Sequence, residues 1–490
     1  MMNKDARKKS IIRRAVLYTI ITTATVVITI LLGLYTFGFR FDMSLNKVEQ
    51  TGLVQFGSSP SGATAKVNDR AVQLRTPNKA TVNAGQHDFS IERKDYLTWN
   101  KSVTIKPGMI MWLNYAILVP NKIETESVLQ FDSLTALKAT PEKKDIMILR
   151  NETLANFELI DIRGSEVKSK SIDLPAEVYS EPANPDVSHR FVMTDWDDGG
   201  RYLLVRHYFG EANEWLVLDT QDPAASKNLT NHFDLIMSTV KFADTSGNKF
   251  YILNNSDVRK LDLSSSTISH PIVTDVESFI MYAKNYLAYV GQSGDGEKAR
   301  RVVGVYRDGD KTAHIVKSFG IDQRDIKVAV TKYFNEDYLA ITNDRVLTLM
   351  KGNFPTDATG SSALKNVMTL SLDWLPTEIS FGDSGQYLMM RSGNNEFTSY
   401  DLEYQDVAKF DLGGVSGSTV NTNWLDDTHL WAVVNGQLSI REFDGQNANE
   451  IIGGVANFDA VFTTNNKYIY TIAGKSDGTY LLQRSLMILR

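Results

Sequence analysis

The sequence predicts an all-β ectodomain behind one transmembrane helix: a small β-sandwich followed by a β-propeller, with eight blades favoured over seven. Three observations lead there. Residues 15–39 carry no charge. Residues 52–120 alternate apolar and polar positions in short runs broken at Gly and Pro. Within residues 121–490, a weak repeat built on a polar turn between aromatic positions runs from residue 131 to the end of the chain.

The uncharged run of 25 residues is long enough, at about 1.5 Å per residue, to cross a hydrocarbon core of about 30 Å with some tilt. Tyr18 and Tyr35 fall near its two interfaces. Lys4, Arg7, Lys8, Lys9, Arg13 and Arg14 precede it against a single Asp5. That positive excess, with Lys8, Lys9, Arg13 and Arg14 nearest the membrane, makes residues 1–14 a cytoplasmic head and places everything after the span outside. The run exceeds the about 7–15 apolar residues of a signal peptide and no A-x-A-like site follows it, so it reads as an uncleaved anchor in a cell membrane.

Charge and cysteine usage narrow the function. The whole chain carries −6, and residues 1–40 hold seven basic side chains and one acid, which leaves −12 for residues 41–490. Phosphate backbones are held by clustered Lys and Arg, so nucleic acid is not an expected partner. With no cysteine, disulfides, thiolate nucleophiles and Cys-ligated zinc are excluded, and stability must come from burial.

Residues 40–51 read as a polar stem of at most about 40 Å when extended. Strands are then expected at 53–56, 63–67, 79–82, 87–91, 96–105 and 110–119, with turns at Ser59-Pro60-Ser61-Gly62, Asn68-Asp69, Asn83-Ala84-Gly85 and Pro107-Gly108. This is the pattern of a small antiparallel sandwich. Pro60-Ser61-Gly62-Ala63, Thr76-Pro77, Ala84-Gly85-Gln86-His87-Asp88-Phe89 and Lys94-Asp95-Tyr96 follow the order and spacing of a PEGA domain, and residues 52–120 resemble that family. Ser61 stands where the family has an acidic residue. The resemblance implies an extracytoplasmic β-module of the cell envelope, and says more about location and architecture than about activity.

The repeat is clearest at Trp196-Asp197-Asp198-Gly199-Gly200-Arg201-Tyr202, Phe381-Gly382-Asp383-Ser384-Gly385-Gln386-Tyr387 and Phe462-Thr463-Thr464-Asn465-Asn466-Lys467-Tyr468, where the aromatics sit six apart. Looser copies open at Phe242, Tyr282, Tyr333 and Trp424, and a first copy turns at Thr140-Pro141-Glu142-Lys143-Lys144. Periods near 40–45 residues with several strands each mark propeller blades, which bury their faces only against neighbours. The turn chemistry resembles WD40-like and TolB-like propeller repeats, which implies fold and not ligand. The last unit, near residues 460–489, is one strand short of four, and residues 123–130 are placed to supply the missing outer strand and latch the ring.

Catalytic motifs are scarce. Gly291-Gln292-Ser293-Gly294-Asp295 and Gly414-Val415-Ser416-Gly417-Ser418 lack the last glycine of a nucleophile elbow. None of the seven histidines pairs with another at the spacing of a helical zinc site, although His189, His207 and His232 could converge by folding. Asp195, Asp197, Asp198, Asp426 and Asp427 cluster in repeat turns, where Asp usually caps its own backbone rather than holding Ca²⁺. No metal or cofactor is therefore expected. Trp196 and Trp424 sit at repeat positions and read as blade packing, whereas Trp99, Trp112 and Trp374 lie outside them and are the candidate ligand contacts. The resulting expectation is a non-catalytic binding or scaffolding module for an envelope protein or a cell-wall or surface glycan. The alternative is a propeller-type glycan hydrolase or lyase, with its acids meeting at the central funnel.

Overall fold

The computed structural model describes residues 4–42, 47–164, 166–182, 184, 186–282, 285–359, 364–414 and 420–489. Helix α1 (Lys4–Thr36) contains a 25-residue segment, Ile12–Thr36, that is long and apolar enough to span a membrane and is nowhere buried by protein. The hydroxyls of Thr19, Thr25 and Thr29 donate to carbonyls four residues earlier, at 2.9, 2.9 and 2.8 Å. Polar groups satisfied in this way cost little in lipid. Gly38 adopts φ +82°, a conformation that ends the helical path.

The chain divides into two units, 1–122 with 488–490, and 123–487. In the first, β1 (Phe39–Asp42) pairs with the start of the 13-residue β2 (Lys47–Ser59). Within residues 40–51, expected as a spacer, the described residues 40–42 and 47–51 are thus strand, because β2 overruns the sandwich and offers β1 a free edge. One sheet also pairs β2 with β5 (Asn78–Asn83) and, in parallel, with β8 (Ile110–Ile117). The other runs β4 (Arg70–Arg75), β3 (Thr64–Val67), β6 (Gly85–Glu92), β7 (Trp99–Ile105). Alternate residues of both sheets, among them Val54, Phe56, Ala65, Phe89, Ile91 and Leu113, fill the space between them. Leu489 belongs to this unit: its N–H donates to the Tyr96 hydroxyl at 2.7 Å and its side chain packs on the sandwich core.

The second unit contains eight four-stranded antiparallel meanders among the described residues, so eight blades is the observed count. They occupy residues 136–173, 189–228, 239–268, 276–319, 327–371, 376–411, 421–453 and 461–486. The central strands read as unbroken apolar runs because both faces are covered, unlike a sheet with one wet face. Blade 1 shows how: Met147 and Leu149 pack with Phe191, Leu203 and Val205 of blade 2, while Ile146 and Ile148 turn the other way, onto Tyr470, Ile472 and Leu482 of blade 8. A strand's two-residue period therefore gives each blade two neighbours, and the contact of blade 1 with blade 8 closes the ring.

Blade 8 takes its fourth strand from before blade 1. Strand β9 (Glu124–Phe131) pairs antiparallel with Tyr480–Leu486, as the sequence suggested. Thr125 and Ser485 join hydroxyls at 2.8 Å, and Arg484 donates from Nε to Glu126 at 2.7 Å. Phe131, 1% exposed, anchors β9 in the core shared by blades 8 and 1. Closure of this kind removes the two edges a linear array would leave open.

Candidate functional site

The repeat turns are built to close themselves. The buried Asp197 carboxylate accepts from the backbone N–H groups of Gly199 at 3.0 Å, Arg201 at 2.8 Å and Tyr202 at 2.6 Å. Thr463 does the same work in blade 8, where its hydroxyl accepts from the Tyr468 N–H at 3.1 Å. Asp195 instead pairs with Lys241 of blade 3 at 2.7 Å. Asp426 is bound by the N–H groups of Thr428 and His429 and by His429 Nδ1 at 2.9 Å. Asp427 is pushed above the ordinary carboxylate range by burial and by the nearby Asp383 and Asp426. The aromatic after the turn serves the next blade: Tyr202 covers Gly247, where an added Cβ would lie 2.6 Å from the ring, and Tyr387 stacks on Phe443 at 3.9 Å.

Of the three histidines that could converge, the fold joins two. His189 and His207 lie on paired strands of blade 2, with Nδ1 of the first 2.9 Å from Nε2 of the second. The fully buried His207 reaches Glu214 through Nδ1 at 2.8 Å, and His189 lies 3.2 Å from the exposed Glu181. Burial opposes the charge on Glu214, but hydrogen bonds from His207, Ser180 and Asn228 outweigh it and hold the carboxyl below its ordinary value. His232 lies apart, against Ser266 at 3.0 Å.

Trp99 is 2% exposed and sits in the sandwich core, edge-on to Tyr115. Trp374 packs on the apolar cluster between blades 5 and 6. Trp112 is the exposed one of the three, on β8. Trp196 is buried between blades 1 and 2, and Trp424 donates from Nε1 to Ser380 of blade 6 at 3.3 Å. Lys8 and Lys9 lie within α1, as do Arg13 and Arg14, whose side chains are exposed. Of the two serine-containing runs, Gly291–Asp295 closes a strand and its following turn, and residues 415–418 of the other lie outside the described residues.

A groove of about 760 Å³ lies along the open side of the sandwich. It forms because the chain leaves one sheet at β4, crosses at Thr76-Pro77 and joins the other at β5, so that each is an edge strand with one partner. Asn68 and Asp69, both at positive φ, turn β3 into β4. His87 links Asn68 and the Asn83 carbonyl, each at 2.8 Å, at one end of the groove. The lining includes the apolar Val72, Leu74, Ala80 and Val82 together with Arg70 and Lys79, and contains no acid. Leu74 is 70% exposed. Position in sequence gave no hint of this site, since two sheets make it jointly.

No curated protein matches the sequence. In structure, the second unit's neighbours include the C-terminal WD40 domain of Sif2, with a TM-score of 0.47 and 11% identity over 73% of this chain and 97% of that one. Hsv2 of Kluyveromyces lactis is similar with a TM-score of 0.40 and 11% identity, over 73% of this chain and 99% of that one. Residues 51–119 match the PEGA domain family, and the sandwich is a PEGA domain.

Proposed function

We propose that this chain is a single-pass anchor with a cytoplasmic N-terminus, whose extracytoplasmic PEGA domain and propeller form a non-catalytic scaffold for another envelope protein. A PEGA domain and a propeller are binding or scaffolding modules in kind, which supports the class. The observation that carries the finer reading is the pair of edge strands, β4 and β5, flanking a groove whose lining combines apolar side chains with Arg70 and Lys79. Edge strands offer a row of free N–H and C=O groups to an extended peptide, and pockets between them select its side chains. Arg70 and Lys79 favour an acidic segment in that position.

Replacing Leu74 by a photo-crosslinking residue in intact cells tests this. A single discrete envelope protein captured at residue 74, and not at residue 154 on the propeller, is the expected result. Capture of nothing above background would remove the groove from the argument. Protease added to wall-stripped cells should digest residues 41–490 and spare the head. A second reading, binding of a cell-wall or surface glycan, is supported by Trp112, an aromatic 36% exposed on β8. The Trp112→Ala variant would then lose retention on cell-wall glycan while keeping the residue 74 crosslink. Turnover of that glycan, abolished by one Asp or Glu substitution, would support the hydrolase or lyase alternative instead.

A further inference from the structure

Between blades 4 and 5, three side chains that no motif joins come together. Asp310 closes the turn that leads from strand Arg300–Arg307 into strand His314–Phe319 of blade 4. Asp357 lies in the blade 5 loop that follows Val346–Gly352. Asp310 spends one oxygen, Oδ1, on Arg307, at 2.6 Å from Nη2 and 3.2 Å from Nε. Its Oδ2 lies 3.4 Å from the Asp357 N–H and 3.9 Å from His314 Nε2. Asp357 uses Oδ2 to accept from the Lys311 N–H at 2.6 Å, and its Oδ1 lies 3.5 Å from the same His314 nitrogen. His314 Nε2 is sealed from solvent and has no hydrogen-bond partner.

These separations discriminate between occupants. A direct N–H···O bond spans about 2.7–3.2 Å, so 3.5 and 3.9 Å are too long for one. Two such bonds meeting at a water would hold the outer atoms about 4.5 Å apart, so the same distances are too short for a bridging water. Ligands about 2.0–2.1 Å from a tetrahedral ion stand about 3.4 Å apart, which the Nε2–Oδ1 distance meets and the Nε2–Oδ2 distance meets after a shift of about half an ångström. A buried ring nitrogen with no hydrogen bond, only carboxylate oxygens at 3.5 and 3.9 Å, is costly, and an ion between them relieves that cost.

We infer that Asp310, His314 and Asp357 form a divalent transition-metal site of the Zn²⁺ class that staples blade 4 to blade 5. One imidazole nitrogen with two carboxylate oxygens suits Zn²⁺, whereas Ca²⁺ prefers six to eight oxygens. Arg307 and the Lys311 N–H hold the far oxygens and so orient the near ones, the arrangement that outer contacts supply around bound metals. Propeller blades hold together mainly through neighbour faces, so a ligand set drawn from two blades resists their parting.

The test uses the full chain, purified in detergent, freed of metal with a chelator and titrated with ZnCl₂ alone. One Zn²⁺ per chain and a rise in melting temperature on its addition are expected. His314→Ala and Asp357→Asn should each weaken binding about 100-fold or more and abolish the rise. Asp357 is itself exposed, so that variant keeps the experiment decisive even where His314→Ala misfolds. A His189→Ala control should bind as the parent does. No stoichiometric Zn²⁺, or Zn²⁺ retained undiminished by Asp357→Asn, would overturn the site.

Discussion

If β9 latches the ring, its effect on stability must alternate residue by residue. In an antiparallel pair, every second residue turns its N–H toward the partner and the others turn it away. Glu124, Thr125, Glu126 and Ser127 face Leu486, Ser485, Arg484 and Gln483 in register, ahead of the bulge that precedes Leu129. Proline placed singly at these four positions should therefore divide into two pairs. Where the N–H faces the C-terminal strand, proline deletes a donor and strands a carbonyl, a loss of about 3 kcal/mol with the ring's own restriction included. Where it faces outward, proline is tolerated as on other sheet edges. An unfolding entropy of about 2.1 cal/mol/K per residue, over the roughly 365 residues of the propeller unit, gives about 0.8 kcal/mol/K. The damaging pair should then melt about 4 °C below the parent, and the tolerated pair within about 1 °C. Scanning calorimetry of the detergent-solubilised full chain reads both. Four variants melting together with the parent would show that this ladder does not hold the ring.

Two other expectations concern blade 2. Removing the Asp197 carboxylate as Asp197→Ala strands three backbone N–H groups of its turn and should cost about 3 kcal/mol, read as a lower urea midpoint, and a midpoint equal to the parent's would refute this. For Glu214, whose folded value is depressed, the stabilisation is complete above the ordinary carboxyl range near pH 4.5 and is lost as the pH falls through the folded value. The Glu214→Gln variant should thus melt lower at pH 7 and converge on the parent below pH 4.5. Parallel curves from pH 7 to pH 3 would detach Glu214 from the acid transition.

The blade turns were legible because their chemistry is local. A tight turn between two strands needs a side-chain acceptor and a residue at positive φ wherever it occurs, and Asp197 with Gly200 supplies both. The latch was legible by strand arithmetic, since the last unit lacked one strand. What pairing and crossing create was hidden. The strand character of residues 40–42 and 47–51 depends on how far β2 runs past its sheet. The approach of His189 to His207 depends on a register that places Phe191 opposite His207. The cluster of Asp310, His314 and Asp357 was hidden as well, because Asp310 and His314 stand four apart across a hairpin turn but Asp357 enters from the next blade.

The cations on the open edge of the PEGA domain have two physical explanations that make opposite predictions. Charged residues on an edge strand can serve to repel a second copy of the same edge, the usual protection of an unpaired strand. They can equally attract an acidic partner. Arg70 and Lys79 line the groove with no acid among its walls, although residues 41–490 together carry a net −12. Repulsion alone needs charge of either sign, and an acidic chain would meet that need with Asp or Glu. The sign of the charge therefore favours attraction. In the paired substitution Arg70→Ala and Lys79→Ala, a docking edge loses its partner, so crosslinking from residue 74 falls while the purified chain keeps its oligomeric state. A guarded edge behaves in reverse, with larger assemblies on a sizing column and undiminished crosslinking, and that result would withdraw the acidic partner from the groove.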